Sequence, residues 1–219
     1  MVMLLAALSG LAWTVVYVDC IRVGFRDRTY AMPVAALALN FAWESVYAVH
    51  GLVTTVSMQT VINVVWTAAD AVILVTFVRF GRREFPEFLP RVVFAVGAGS
   101  LFAVAYVVQG LFVARFGWHA GAAYSAFLQN LLMSGLFIAM FLARGGTRGQ
   151  TVTIAVAKWL GTLAPTVAFG IVRPDGFILG IGLLCSLLDL AYLGLMLLAR
   201  FRPERLNPPA ASVGRQANP

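Results

Sequence analysis

Four ionisable residues lie inside the long apolar segments of this chain: Glu44, Asp70, Lys158 and Asp189. A carboxylate in hydrocarbon costs on the order of 3 kcal/mol and is tolerated mainly where it faces the interior of a helix bundle. Three such acids in one small protein therefore indicate a functional site. Because desolvation penalises the charged state, a carboxyl in an apolar pocket favours its neutral form and can act as a general acid.

Amide and aromatic side chains share helical faces with these acids. Residues three and four apart are neighbours on a helix, so Glu44 lies on one face with Asn40, Phe41 and Tyr47. In the next predicted helix, Asp70 shares a stripe with two further polar or aromatic residues, Asn63 and Trp66. The later helices add candidates for the same substrate pocket, namely Tyr106, Tyr124, Phe127, Asn130 and Tyr192.

This combination of side chains predicts a particular chemistry. Aromatic faces stabilise a passing carbocation as they stabilise ammonium ions, and they do not trap it. Exclusion of water prevents the cation from being quenched. An acid, aromatic walls and a dry cavity together favour proton-initiated cyclisation of a polyene or of its epoxide.

The elements that carry these residues are predicted to be membrane helices. The chain is 61% hydrophobic and 11% charged, whereas soluble domains average roughly 25% charged residues. Seven apolar segments are each close to the ~20 residues that cross a bilayer; they span 2–18, 31–50, 57–78, 92–114, 120–142, 151–171 and 177–199. The predicted fold is thus all-α, a polytopic seven-transmembrane-helix bundle over residues 1–201, followed by a disordered cytoplasmic tail, 202–219.

The arginines predict the orientation of the bundle. They concentrate in the segments after the first, third, fifth and seventh predicted helices, whereas the opposite face has only Arg115 and Arg173. This asymmetry favours an outside N-terminus and a cytoplasmic C-terminus. The net charge of +7 is then a topology signal, and no nucleic-acid partner is expected. The composition, rich in Arg, Ala, Val and Gly, suggests a bacterial source and a multi-pass protein of the inner cell membrane.

Alternative interpretations remain open at several of these residues. Asp70 could pair with Lys158 across two helices, although snorkelling of Lys158 to the cytoplasmic headgroups is the preferred interpretation. Tyr17 is interpreted as a packing or interfacial residue, and Asp19 and Asp27 as members of surface ion pairs. A proton-coupled transporter of a small hydrophobic solute is the second candidate function, since a carrier also places acids at the midplane.

Two short motifs carry a resemblance to a known family. They are Asn40-Phe41-Ala42-Trp43-Glu44 in the second predicted helix and Leu188-Asp189-Leu190-Ala191-Tyr192 in the last, supported by Trp66 through Asp70 and by Gln129-Asn130. With these motifs the chain resembles the integral-membrane terpene cyclases of fungal meroterpenoid and indole-diterpene pathways. It looks closest to their bacterial relatives, which cyclise farnesylated indoles of the drimentine type. The similarity covers everything except the tail.

The resemblance implies a terpene cyclase of the isomerase or lyase type that does not ionise a diphosphate, with no metal and no cofactor. Glu44 and Asp189 match the two acids regarded as essential in that family, and Asp70 is a further candidate acid. The implied substrate is a hydrophobic prenylated aromatic, with a farnesylated indole expected. Four points stay open at this stage: the acceptor (indole, quinone or polyketide), protonation of an epoxide or an alkene, the proton donor among the acids, and the oligomeric state.

Overall fold

The computed structural model describes residues 1–201, and the predicted tail, 202–219, lies outside the described residues. The described part of the chain is all-α, as predicted, and contains no strand. Its helices are α1 (Val2–Arg26), α2 (Val34–Val53), α3 (Met58–Phe80), α4 (Arg91–Arg144), α5 (Val152–Thr166) and α6 (Gly176–Phe201). A 3-10 turn (Gly81–Glu84) follows α3, and a π-helical segment (Val167–Val172) continues α5.

Helix α4 accounts for the difference between the predicted seven helices and the six that residues 1–201 form. At 1.5 Å per residue its 54 residues would extend about 80 Å, far beyond a bilayer core of about 30 Å. The helix breaks at Gly117, where φ is 73° and ψ is 176°. The chain reverses direction at Gly117. The contact between the two arms shows this, since Gln109 Nε2 lies 3.2 Å from Gln129 Oε1. The two arms of α4 therefore take the places of the fourth and fifth predicted spans, although a count of seven separate helices is not confirmed.

Gly117 is expected to be a stability determinant of this reversal. A Cβ added at Gly117 would meet no neighbour within 4 Å, so the cost of Gly117→Ala comes from the backbone conformation alone, at about 1–3 kcal/mol. Gly135 is a helical glycine that also faces open space, so Gly135→Ala should be neutral or stabilising. Unfolding in mixed micelles measures both variants. Equal stability of the two would show that the reversal does not depend on the glycine.

The exterior of the bundle suits a lipid environment. Five of the described helices are long and apolar enough to cross a membrane. Helix α2, which carries the polar residues Asn40 and Glu44, is not among them. Large apolar side chains are exposed along most helices, whereas many polar side chains are buried inside. This arrangement is that of a multi-pass membrane protein with a polar interior. The orientation of the termini stays a prediction.

Side-chain caps fix the starts of three helices, α3, α5 and α6. Ser57 and Thr60 form a reciprocal capping box at the start of α3, and Thr151 Oγ1 accepts the backbone N–H of Ile154 at the start of α5. Asp175 accepts two backbone N–H groups of the first turn of α6, at 2.9 and 3.1 Å. Each cap contributes about 1 kcal/mol. The caps set the depth at which the polar residues of these helices lie.

The packing order decides which acids can meet. Helix α2 packs between α3 and α4, so side chains of the α2 and α3 inner faces contact each other. Helix α6 packs against both α5 and α4. Glu44 and Asp70 are therefore brought together on one side of the bundle, and Asp189 is brought to α5 on the other. A core of buried apolar residues, for example Val16 and Met133, fills the space between the helices.

The acids at the end of α1 differ from each other. The Arg26–Asp27 contact at 2.6 Å is the predicted surface pair. Asp19 also forms the predicted ion pair, with Arg22, but its side chain is buried, so its predicted position on the surface was wrong. It accepts hydrogen bonds from Arg22 and from the hydroxyl of Thr151. Since Thr151 also caps α5, Asp19 joins the end of α1 to the start of α5.

Candidate active site

Three of the predicted site residues meet around one amide group. Asn40 Nδ2 lies 3.2 Å from Glu44 Oε1 and 3.2 Å from Asp70 Oδ2. The exposed fractions of the two acids are 2% and 0%. No lysine or arginine of residues 1–201 forms a salt bridge with either carboxyl. The cluster is thus a buried pair of acids that share the amide of Asn40 and that have no cationic partner within residues 1–201.

Tyr17 completes this cluster. It was not among the site residues predicted from the sequence. Its phenol donates a hydrogen bond to Glu44 Oε1 and accepts one from Asn40 Nδ2 at 2.5 Å. Tyr17 is 2% exposed and belongs to the buried core, so of its two predicted roles the packing role is confirmed and the interfacial one was wrong. An amide has two N–H hydrogens, whereas Asn40 faces three oxygen acceptors, those of Tyr17, Glu44 and Asp70. The geometry therefore leaves room for a proton on one of the acids.

Two glutamines extend the cluster into α4. Gln129 Nε2 donates to Asn40 Oδ1 at 3.3 Å, and Gln109 Nε2 donates to Gln129 Oε1 at 3.2 Å. The chain of amides connects both arms of α4 to α2. Because each amide fixes the orientation of the next, Asn40 is held with its N–H groups towards the acids.

A second polar cluster surrounds the third acid. Lys158 Nζ donates to Asp189 Oδ1 at 2.6 Å and to Ser134 Oγ at 2.7 Å. Both members of the ion pair are essentially inaccessible, at 0% and 1% exposure. Ser134 in turn donates to the carbonyl of Asn130. Asp189 and Lys158 thus form a fully buried ion pair.

This second cluster corrects two interpretations of Lys158. The lysine is fully buried, so the prediction that it snorkels to the headgroups was wrong. Its partner is Asp189 rather than Asp70. The predicted single constellation of acids consequently divides into two: the Glu44–Asp70 cluster, formed with Tyr17 and Asn40, and the Lys158–Asp189 cluster.

Some of the aromatic and amide candidates lie beside these clusters. The ring of Trp66 lies 5.7 Å from that of Tyr17. Tyr192 is fully buried with its ring 5.3 Å from Phe137. The remaining inner candidates, Asn63 and Phe127, are both buried, and the Asn63 side chain accepts a hydrogen bond from Gln59 at 2.8 Å.

Other candidates lie farther out. Phe41 packs edge-on against Phe102. Tyr106 is 41% exposed, and its hydroxyl contacts Ser45 at 2.8 Å. Tyr124 donates to Asp175 Oδ2 at 3.1 Å, next to the start of α6. The structure therefore does not bring Tyr106 and Tyr124 to the acids.

Several buried polar atoms have no hydrogen-bond partner within the described protein. Buried polar groups are normally satisfied, so such atoms mark the positions where a substrate oxygen or a water molecule is most needed. Both acid clusters contribute to this set, whose members include Glu44 Oε2, Asp70 Oδ1, Asp189 Oδ2, Tyr192 Oη, Tyr47 Oη and Asn130 Oδ1.

Comparison with known proteins identifies the family. The family model described as Pyr4-like transmembrane terpene cyclases matches residues 1–196. The chain belongs to this family of membrane terpene cyclases. Membership supports a membrane-associated terpene cyclase and favours the predicted cyclase over the transporter. The resemblance inferred from the two motifs is thereby confirmed.

Individual members of the family show moderate identity. "Terpene cyclase pyr4" of Aspergillus fumigatus is 27% identical over 84% of this chain and 80% of its own length. "Terpene cyclase dpchB" of Colletotrichum higginsianum is 32% identical over 71% of this chain and 64% of its own length. "Asnovolin H synthase nvfL" of Aspergillus novofumigatus is 26% identical over 73% of this chain and 65% of its own length. No solved structure matches this chain.

All three relatives are fungal, so the predicted bacterial source and inner-membrane location are not confirmed. The chain spans between 64% and 80% of the length of the first two relatives. The specific reaction and substrate of this cyclase are accordingly matters for proposal.

The Tyr17 hydroxyl is expected to position the Glu44 carboxyl. Tyr17→Phe keeps the buried ring but removes the hydrogen bond to Glu44 together with the one from Asn40. Since each is worth about 1 kcal/mol, turnover should fall by at least roughly fivefold. Tyr30 is a matched control, because Tyr30→Phe removes a hydroxyl that lies outside both clusters. Product formation in membranes is the measurement. Unchanged turnover in Tyr17→Phe would remove the phenol from the reaction.

Proposed function

We propose that this cyclase closes rings on the prenyl chain of a farnesylated aromatic, with indole as the expected acceptor, by protonating the terminal alkene or epoxide without a metal ion. One observation carries the proposal. Two buried carboxyls, Glu44 and Asp70, converge on the amide of Asn40, and neither forms an ion pair within residues 1–201. Such a pair is suited to store a proton in an apolar interior.

Glu44 is the proposed proton donor. A buried carboxyl without a counter-cation favours its neutral form, because desolvation penalises the anion. Two acids that share one amide repel each other if both ionise, so the pair holds at least one proton. Glu44 has a hydrogen bond from Tyr17 that orients it, and its Oε2 has no partner within the described protein. Asp70 tunes the proton affinity of Glu44 from the other side of Asn40.

Asp189 has a different role in this scheme. The adjacent ammonium of Lys158 stabilises Asp189 as a carboxylate, so Asp189 is not the acid that starts the cascade. Its Oδ2 atom, which has no partner within residues 1–201, is placed to accept the proton that the final carbocation releases. The added proton and the released proton balance, and the reaction is an isomerisation.

Aromatic side chains complete the scheme. Trp66, Tyr47 and Tyr192 present ring faces that stabilise intermediate cations. The burial of both clusters excludes water, which would otherwise capture the cation. The rate enhancement comes mainly from enforced folding of the polyene and from preorganised electrostatics, since the substrate supplies every carbon of the product.

A panel of prenylated aromatics tests this function. Membranes that contain the protein are supplied with farnesylated indole, quinone and phenolic substrates, each with and without a terminal epoxide. Cyclised isomers are identified by mass spectrometry and NMR. In D₂O, protonation of an alkene places one stable deuterium on a product carbon, whereas protonation of an epoxide places the deuterium on an exchangeable hydroxyl.

We expect a cyclised isomer from farnesylated indole, at a higher rate than from the other acceptors. Cyclisation of a quinone or phenolic substrate alone would retain the cyclase and reject indole as the acceptor. A product that forms only when a divalent metal is added, or only from a prenyl diphosphate, would contradict the proposed proton-initiated chemistry.

A further inference from the structure

A recess of about 430 Å³ opens where the C-terminal ends of α1 and α3 meet. Its lining consists of two phenylalanines and three arginines: Phe25, Phe80, Arg28, Arg79 and Arg83. The two phenyl rings pack edge-on with their centroids 6.3 Å apart. The recess therefore combines an apolar wall with three guanidinium groups, at the end of two membrane-spanning helices.

The three arginines of the recess differ from Arg26 and Arg148 in that no carboxylate among the described residues forms a salt bridge with them. Within residues 1–201, Arg26 pairs with Asp27 at 2.6 Å, and Arg148 pairs with Glu84 at 2.7 Å. The arginines of the recess have no salt bridge to any acid of this described part of the chain. Three like charges that share one recess repel each other, and an anion bound among them removes that repulsion.

Arg28 occupies a backbone conformation that favours glycine. Its φ is +50°, and it follows α1 in a Schellman motif, in which the Thr29 N–H donates to the Gly24 carbonyl at 3.0 Å. Glycine adopts this conformation without penalty. An arginine is thus unfavourable for the turn itself, and what it adds is a guanidinium at the recess.

We propose that this recess binds the phosphate headgroup of an anionic phospholipid. The guanidiniums of Arg28, Arg79 and Arg83 supply the planar N–H donors that match phosphate oxygens. The recess lies at headgroup depth, because both helices that form it end there after crossing the apolar layer. Phe25, 42% exposed, offers an apolar contact for the start of an acyl chain, which a free phosphate lacks. The proposal is independent of the cyclisation chemistry.

Native mass spectrometry of the full chain in a neutral detergent tests this site. The probes are dioctanoyl phosphatidic acid, dioctanoyl phosphatidylcholine as its zwitterionic counterpart, and inorganic phosphate. We expect one molecule of phosphatidic acid per chain at saturation, bound at least tenfold more tightly than phosphatidylcholine. Equal affinity for the two lipids would overturn the proposal.

Arg28→Gly is the most informative variant, because it removes the cation while relieving the backbone. It should weaken the binding of phosphatidic acid by tenfold or more without lowering the thermal stability. Arg91→Gln is the matched control: it removes the same charge at the first residue of α4, outside the recess, and should change the affinity less than twofold. Equal losses in the two variants would reduce the effect to net charge and contradict a defined site.

Competition by inorganic phosphate distinguishes two possible ligands of the recess, a phospholipid headgroup and a free phosphate ion. We expect it to compete only weakly, because it lacks the acyl contact with Phe25. Displacement of phosphatidic acid by an equal concentration of inorganic phosphate would show that the recess takes a free phosphate and that the lipid assignment is wrong.

Discussion

Glu44→Gln abolishes cyclisation in a protein that still folds. General acid catalysis contributes about 10²–10⁴-fold to a rate, and a protonation step that lacks its donor has no substitute inside a dry cluster. We therefore expect turnover of the farnesylated substrate to fall at least about a thousandfold. Glutamine keeps the length of the side chain and its acceptor oxygen, so the hydrogen bond from Tyr17 can persist. The measurement is product formation in membranes, normalised to the amount of folded protein.

Two controls make this result specific. Glu87→Gln is the same chemical change at an exposed loop position and should leave turnover within twofold. Asp70→Asn should retain part of the activity, because Asp70 adjusts the proton affinity of Glu44 rather than delivering the proton. Full turnover in Glu44→Gln would exclude Glu44 as the donor. Complete loss in Asp70→Asn together with residual turnover in Glu44→Gln would transfer the donor role to Asp70.

The meeting of Asn40 and Asp70 could be predicted from the sequence because two adjacent helices joined by a short loop run antiparallel. Asn40 precedes the last residue of α2 by 13 residues, and Asp70 follows the first residue of α3 by 12. Nearly equal distances from the connection give similar depths in the bundle. The shared helical face of Asn40 and Glu44 then brings Glu44 to the same place.

The partner of Lys158 could be predicted from the sequence in the same way. The lysine precedes the connection that begins at Arg173 by 15 residues, and Asp189 follows the end of that connection at Gly176 by 13. The two side chains therefore lie at similar depth on adjacent antiparallel helices. Lys158 is also close to the start of its own apolar segment, 151–171, and this distance suggested a position near the headgroups.

Tyr17 was missed because of the predicted end of the first helix. The apolar segment ends at residue 18, where Asp19 and Arg22 interrupt the pattern, so an aromatic there resembles an interfacial anchor. The helix in fact continues to Arg26, and Tyr17 lies well inside it. The charge on Asp19 is tolerated because Arg22 and Thr151 satisfy its oxygens. No pattern within α1 alone indicates this compensation by a residue 132 positions away.

The reversal at Gly117 shows a different limit of sequence reasoning. The predicted spans 92–114 and 120–142 leave a short connection between them, but nothing in its composition determines whether the chain forms a loop or a single-residue break in the helix. The positive φ of Gly117 is a conformation that only glycine adopts readily. The two arms on either side of Gly117 overlap the predicted spans 92–114 and 120–142, but residues 1–201 form six helices and the predicted count of seven is not confirmed.

Lys158→Met is expected to cause the largest loss of stability of any single substitution considered. Methionine approximates the length of the lysine, so the cavity term is small, and the main effect is a carboxylate left buried without its cation. Breaking a buried ion pair in this way costs about 3–5 kcal/mol. Unfolding in mixed micelles measures the loss. The matched control is Ser134→Ala, which removes the other acceptor of the ammonium group and should cost only about 1 kcal/mol.

The double variant Lys158→Met/Asp189→Asn separates charge from packing. Removing both charges leaves no unpaired ion, so most of the lost stability should return, while cyclisation stays abolished because the proposed terminal base is gone. Asp189→Asn alone leaves the ammonium of Lys158 without its counter-ion, so it should also lose stability, and the fraction that folds should form no product. If the double variant is no more stable than Lys158→Met, the loss comes from packing around the lysine rather than from an unpaired carboxylate. If Asp189→Asn turns over at the native rate, the base must be sought elsewhere in the buried network, and the ion pair becomes a structural feature that joins α5 to α6.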